Sequence, residues 1–221
     1  MPSGFLSTRI FSVAPYIDRN AFKDLTLKAG QRIHFDVGVI GEPPPEITWT
    51  IGGKVMPAEG DSHYKIEMED YNTKLIARNS SRADSGAYTI TAINGSGKDV
   101  VTVNVLVTDK PSPPEGPLDV KDIHKEGCKL AWKKPKDDGG IPLEGYLVEK
   151  MDTDSGLWVP VGKVKGTEME VNGLVPNKEY KFRVSAVNKD GESEPLESIK
   201  PIIAKNPFGM FWMQVVEYSL I

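Results

Sequence analysis

Cysteine is nearly missing from the 221 residues, with Cys128 the single example. No disulfide can form within the chain, and no cysteine-rich metal site can be built. Histidine is scarce as well. His34, His63 and His124 stand far apart, which does not suit the ligand spacing of a zinc site. A basic excess is lacking too: 27 Lys and Arg against 31 Asp and Glu leave a net charge of −4. That balance argues against a duplex nucleic-acid binder and leaves protein partners open. Residues 1–12 contain no apolar stretch of signal-peptide length. The more apolar end, Pro207 to Ile221, is too short for a bilayer-spanning helix and includes Gln214 and Glu217, so no membrane span is expected. No Walker loop, G-x-S-x-G, H-E-x-x-H or kinase signature occurs. Catalytic, cofactor-binding and metal residues are therefore not expected, nor is a cofactor or a small-molecule substrate.

What is present suits two domains of roughly 100 residues each. Hydrophobic residues make up 39% and charged residues 26%, as in soluble globular chains. Ile33, Phe35, Val37 and Val39 alternate with Arg32, His34, Asp36 and Gly38, the period of a strand with one buried face. Val101, Val103, Val105 and Val107 repeat the pattern, as do Tyr180, Phe182, Val184 and Ala186. Gly52-Gly53, Asn94-Gly95, Asp138-Gly139-Gly140, Asn172-Gly173 and Asp190-Gly191 punctuate the runs as turns. Helical periodicity with a plausible cap is not seen. The expected fold class is all-β, as two tandem β-sandwiches. Between them Pro111, Pro113 and Pro114 prevent a helix or central strand from continuing. A short, stiff connector is expected there, with Thr108, Asp109, Lys110 and Pro111 as its leading residues.

The stretch from Val37 to Trp49, followed by Asp84-Ser85-Gly86-Ala87-Tyr88, resembles strands B, C and the start of F of an I-set immunoglobulin domain. The D-x-G-x-Y pattern falls on Asp84, Gly86 and Tyr88, and the resemblance covers residues 14–108. It implies that Trp49 is a core residue and that Tyr88 forms a tyrosine corner, its hydroxyl bonded to nearby backbone. Asp84 is implied as a structural carboxylate paired with Arg82 or Arg78. The two bridging cysteines of that family correspond to Val37 and Ile90, both aliphatic here. Burying such side chains contributes about 1.5–3 kcal/mol each, comparable with the ~2–4 kcal/mol of a bridge. Packing Val37 and Ile90 against Trp49 would suit a reducing compartment, where a disulfide is unreliable.

After the prolines, Cys128-Lys129-Leu130-Ala131-Trp132, Gly145-Tyr146-Leu147 and Leu174 to Tyr180 resemble a fibronectin type III domain over residues 115–204. Trp132 and Tyr146 are implied as core residues, and Leu174 with Tyr180 as the corner between strands E and F. Cys128 shares the face of Leu130 and Trp132, so a buried, inert thiol is expected. Lys133, Lys134 and Lys136 beside Asp137 and Asp138 read as a solvated loop, with a partner contact as the alternative.

The run from Trp132 to Lys150 is similar to the fibronectin repeats of the giant muscle proteins titin, twitchin and projectin. The resemblance implies a non-enzymatic structural and scaffolding segment of a thick-filament-associated sarcomeric protein in the cytoplasm. Its implied partners are myosin filament components and neighbouring immunoglobulin and fibronectin modules, and its implied mechanism is mechanical. Each sandwich would resist extension through hydrogen bonds between its terminal strands, and the 109–114 linker would set the spacing. Two rivals remain. An adhesion-receptor ectodomain would call for a signal peptide, paired cysteines and glycans on Asn79 or Asn94. The non-catalytic arm of a giant muscle kinase would carry none of the kinase residues here. Residues 1–13 and 205–221 match nothing in the family.

Overall fold

A computed structural model describes residues 12–207. It divides into two compact units, one ending at Asp109 and the next beginning at Lys110. Residues 1–11 and 208–221, most of the two stretches read as foreign to the family, lie outside the described residues.

The first unit contains β1 (Val13–Ile17), β2 (Leu25–Lys28), β3 (Ile33–Glu42), β4 (Glu46–Ile51), β5 (Lys54–Val55), β6 (Tyr64–Glu69), β7 (Asn72–Ala77), β8 (Gly86–Asn94) and β9 (Gly97–Thr108). One sheet has the order β1-β3-β7-β6 and the other β2-β9-β8-β4-β5. The period of two decides which side chains fill the space between them. In β3, Ile33, Phe35, Val37 and Val39 are buried while His34, Asp36 and Ile40 face water. Tyr88, Ile90 and Ala92 of β8 and Val103, Val105 and Val107 of β9 close the core from the other side. The β8–β9 hairpin turns at Gly95-Ser96, with the Asn94 carboxamide oxygen accepting from the Ser96 N–H at 2.9 Å.

Strand β2 pairs with β9 in parallel, from Leu25 against Val105 to Lys28 against Thr108. Thr108, read from sequence as part of the connector, is instead the last residue of β9 and is buried. Its carbonyl also accepts from the Ala29 N–H at 2.7 Å. The β-branched run leading into it extends the strand as far as Thr108.

The second unit contains β10 (Glu115–His124), β11 (Gly127–Lys133), β12 (Leu143–Asp152), β13 (Trp158–Val164), β14 (Glu168–Asn172), β15 (Glu179–Asn188), β16 (Gly191–Glu192), β17 (Leu196–Glu197) and β18 (Ile202–Ile203). Strands β10-β11-β14 form one sheet. The other runs β13-β12-β15, with β16, β17 and β18 each pairing β15. Leu118, Leu130, Trp132, Val148, Phe182 and Val184 lie in the core between them. The connector prolines are tied to this unit: the Ser112 N–H donates to the Asp137 carbonyl at 2.9 Å, and the Asp137 N–H donates to Ser112 Oγ at 3.1 Å.

The two units differ in how their ends are held. In the first, the first strand β1 pairs β3 rather than β9, and the last strand β9 is laddered instead to the second strand, β2. In the second, β10 and the closing strands β17 and β18 belong to opposite sheets, so no hydrogen-bonded ladder joins them. Among the described residues the helical content is a single turn, Arg82–Asp84.

Candidate functional site

Packing, rather than a reactive cluster, defines the functional residues of the first unit. Trp49 on β4 is fully buried, with Phe22 edge-on at 5.4 Å and Phe35 tilted at 6.2 Å. Its indole N–H donates to Thr73 Oγ1 at 2.7 Å, and Thr73 is itself fully buried on β7 in the opposite sheet. Val37, on β3 of one sheet, and Ile90, on β8 of the other, are both at 0% exposure in the cluster that contains Trp49. Hydrocarbon therefore occupies both positions.

A polar knot sits at one end of this core. The Tyr88 hydroxyl donates to the Asp84 carbonyl at 3.0 Å, closing a four-residue loop around Gly86. The Asp84 carboxylate accepts from the Tyr64 hydroxyl at 2.5 Å and from the Ser81 N–H at 2.7 Å, and His63 Nε2 lies 2.8 Å away. The pairing expected for Asp84 is with Arg82 or Arg78; the side chain that lies against its carboxylate is His63 instead. Arg82 reaches the Val107 carbonyl and Ser85 Oγ. Burial pushes the Asp84 carboxyl up, but the Tyr64, Ser81 and His63 contacts outweigh it and hold it below the usual carboxylate range. Burial likewise raises the Tyr64 phenol and pushes Tyr88 up to about 12, so both stay protonated donors.

In the second unit Trp132 and Tyr146 meet edge to face at 5.4 Å. The Trp132 indole nitrogen and the Tyr146 hydroxyl are buried without hydrogen-bond partners among the described residues. The Tyr180 hydroxyl accepts from the Val175 N–H at 3.1 Å, one residue past the buried Leu174, which forms the corner into β15. Cys128 is 3% exposed, and burial pushes its thiol up to about 11, which keeps it a weak nucleophile. On the outer face of the larger sheet, Arg183 grips Glu149 through Nε at 2.6 Å and Nη2 at 3.1 Å, and its guanidinium lies 4.5 Å from the Trp158 ring centre.

A groove of about 810 Å³ runs beside the loop of Lys134–Asp138. Lys134, Lys136 and Lys165 face Asp137, Asp138 and Glu144 in it, and no His, Cys, Ser or Thr lines its walls. That set lacks a nucleophile paired with a base. Among the described residues no group of three His, Cys, Asp or Glu side chains could hold a metal ion, and no helix is long and apolar enough to cross a membrane. Sequence reasoning located Trp49, Val37, Ile90 and Tyr88, but missed Thr73, His63 and Tyr64. Those three meet their partners only through the cross-sheet fold, and nothing in their local pattern signals it.

Two sandwiches with a tyrosine corner in each define a tandem of an immunoglobulin-like and a fibronectin-like module. The immunoglobulin I-set domain model matches residues 15–107 and the fibronectin type III domain model residues 112–201. The solved domains A168–A170 of titin superpose with a TM-score of 0.54 at 32% identity, covering 88% of this chain and 68% of that one. Fast-type myosin-binding protein C of Mus musculus is 34% identical over 83% of the chain, and titin of Drosophila melanogaster 35% identical over 81%. The chain belongs to the family of tandem immunoglobulin I-set and fibronectin type III proteins that includes titin and myosin-binding protein C. Those homologues are structural muscle proteins of the sarcomere, and the modules they share with this chain are non-catalytic. The chain spans 16% of the length of that myosin-binding protein C and 1% of that titin.

Proposed function

We propose that this chain is a structural and scaffolding segment of a thick-filament-associated sarcomeric protein, acting in the cytoplasm by protein binding and mechanical spacing without catalysis. The observation that carries this reading is the fully buried hydrocarbon of Val37 and Ile90, in the same core cluster as Trp49. A sandwich stabilised this way needs no oxidising compartment.

The mechanical part rests on the parallel β2–β9 ladder. Tension that leaves through Thr108 while the chain upstream of β2 is held loads those hydrogen bonds together, in shear, rather than one at a time. The binding part rests on repetition, since modules strung along a filament add weak contacts into avidity. Myosin filament components and neighbouring modules are the partners proposed.

Against the receptor reading, Asn94 Nδ2, the atom that a glycan would occupy, donates to the carbonyls of Val13 at 2.8 Å and Pro43 at 3.0 Å. A sugar there would cut the ties that hold β1 and the β3–β4 turn.

Co-sedimentation with purified myosin filaments tests the proposal. The chain is expected in the pellet, saturably and more at low salt than at high salt. Recovery in the supernatant at every filament concentration would remove the thick-filament assignment.

A further inference from the structure

The outward row of β3 reads His34, Asp36, Gly38, Ile40 and Glu42, and Gly38 is out of place in it. A glycine inside a central strand costs stability that other residues would not. Its backbone torsion lies outside the left-handed region, and a Cβ there would meet nothing within 4 Å. The fold therefore does not require the glycine, and what it leaves is a notch in an exposed sheet face.

The surroundings of the notch share one chemistry. Tyr16, paired opposite Ile40, and Tyr71 are about half exposed at 49% and 47%, and Ile40 is 58% exposed. Asn72 stands directly across from Gly38. Its Nδ2 donates to Asp36 Oδ1 at 2.9 Å, while its Oδ1 is buried and accepts no hydrogen bond from any described residue. Glu42 accepts from the Tyr71 hydroxyl at 3.1 Å. The nearby cations are already engaged: Lys74 sits 3.9 Å from both Asp36 and Glu69, and Arg19, over the Tyr16 ring, pairs with Asp99 at 2.7 Å. The face thus offers exposed aromatic rings and two carboxylates beside a gap, all of which suit a planar, cationic donor.

We propose that this face of the first sandwich docks a basic protein segment, with one arginine side chain of that segment seated in the notch at Gly38. This deepens the scaffolding reading by giving it a contact surface. A lysine would supply the charge but neither the stacking plane nor the forked donors.

The test is an NMR titration of the ¹⁵N-labelled full chain with a capped Ala-Arg-Ala-Arg-Ala peptide, and with its lysine and citrulline versions. Saturable shifts are expected at the Gly38, Ile40 and Tyr71 amides and at the Asn72 side-chain amide. The citrulline peptide should leave them unmoved, and the lysine peptide should bind several-fold more weakly. Gly38→Val, which fills the notch, and Asp36→Asn, which keeps the glycine, should each weaken binding by about tenfold. Affinity unchanged from the unsubstituted chain in both variants, shifts spread over the acidic surface, or the same signals moving with protein concentration alone would overturn the proposal. If the peptide fails while the chain still pellets with myosin filaments, this surface falls and the scaffolding reading stands. If the peptide binds and the chain does not pellet, the reverse holds.

Discussion

The Trp49 indole N–H reaches across the interior of the first sandwich to Thr73 Oγ1 at 2.7 Å, joining β4 of one sheet to β7 of the other. Both side chains are fully buried, so the indole has no water to turn to if the hydroxyl is lost. Thr73→Val keeps the shape and removes the acceptor. It is expected to cost about 1–3 kcal/mol, the desolvation penalty of a stranded buried donor, read as a lower denaturation midpoint of the first unit with an unchanged slope.

Ile90 tests the hydrocarbon half of the same core. Ile90→Ala removes a fully buried aliphatic side chain and should destabilise the first unit by about 2–5 kcal/mol. Reductant added to the unsubstituted chain should leave its melting temperature unmoved, because a lone cysteine cannot form a bridge within the chain. A reductant-dependent shift in the monomer would contradict this.

Acid should loosen the polar knot. The Asp84 carboxyl is held below its usual range, so its contribution is fully present above the ordinary carboxylate value near ~3.9 and is lost as pH falls below it. Asp84→Asn should lower stability at neutral pH and flatten the decline between about pH 5 and pH 2. Denaturant melts of both proteins across that range give the comparison, and parallel curves would count against the assignment.

Force should find β2–β9 first in the immunoglobulin-like unit. Ala29→Pro removes the N–H that donates to the Thr108 carbonyl at the end of this ladder. Single-molecule stretching should show that unit opening at lower force, with the force of the fibronectin-like unit unaltered. Its terminal strands share no ladder that the change could touch.

Much of this was legible beforehand because a strand's side-chain period is local. The alternation from Ile33 to Val39 named the buried face of β3 without any partner in view, and the spacing of Asp84, Gly86 and Tyr88 pointed to a corner. Asp84 was harder. Its neighbours in sequence include Arg82, yet the fold turns Arg82 toward Val107 and brings His63 and Tyr64 in from about twenty residues upstream. Thr108 was misplaced because proline chemistry marks where a strand must have stopped, not where its last hydrogen bond lies.

The class of the molecule is legible without any partner strand: two sandwiches, no bridge, and aliphatic residues at Val37 and Ile90, because burial periodicity and residue chemistry are written in single strands. The tertiary fold sets that Thr73 accepts from Trp49, that β2 lies parallel to β9, and that Gly38 stands across from Asn72, whose side-chain oxygen has no hydrogen-bond partner among the described residues. Each of these joins residues at least twenty positions apart, and such pairings depend on how sheets stack and register. No local pattern encodes that.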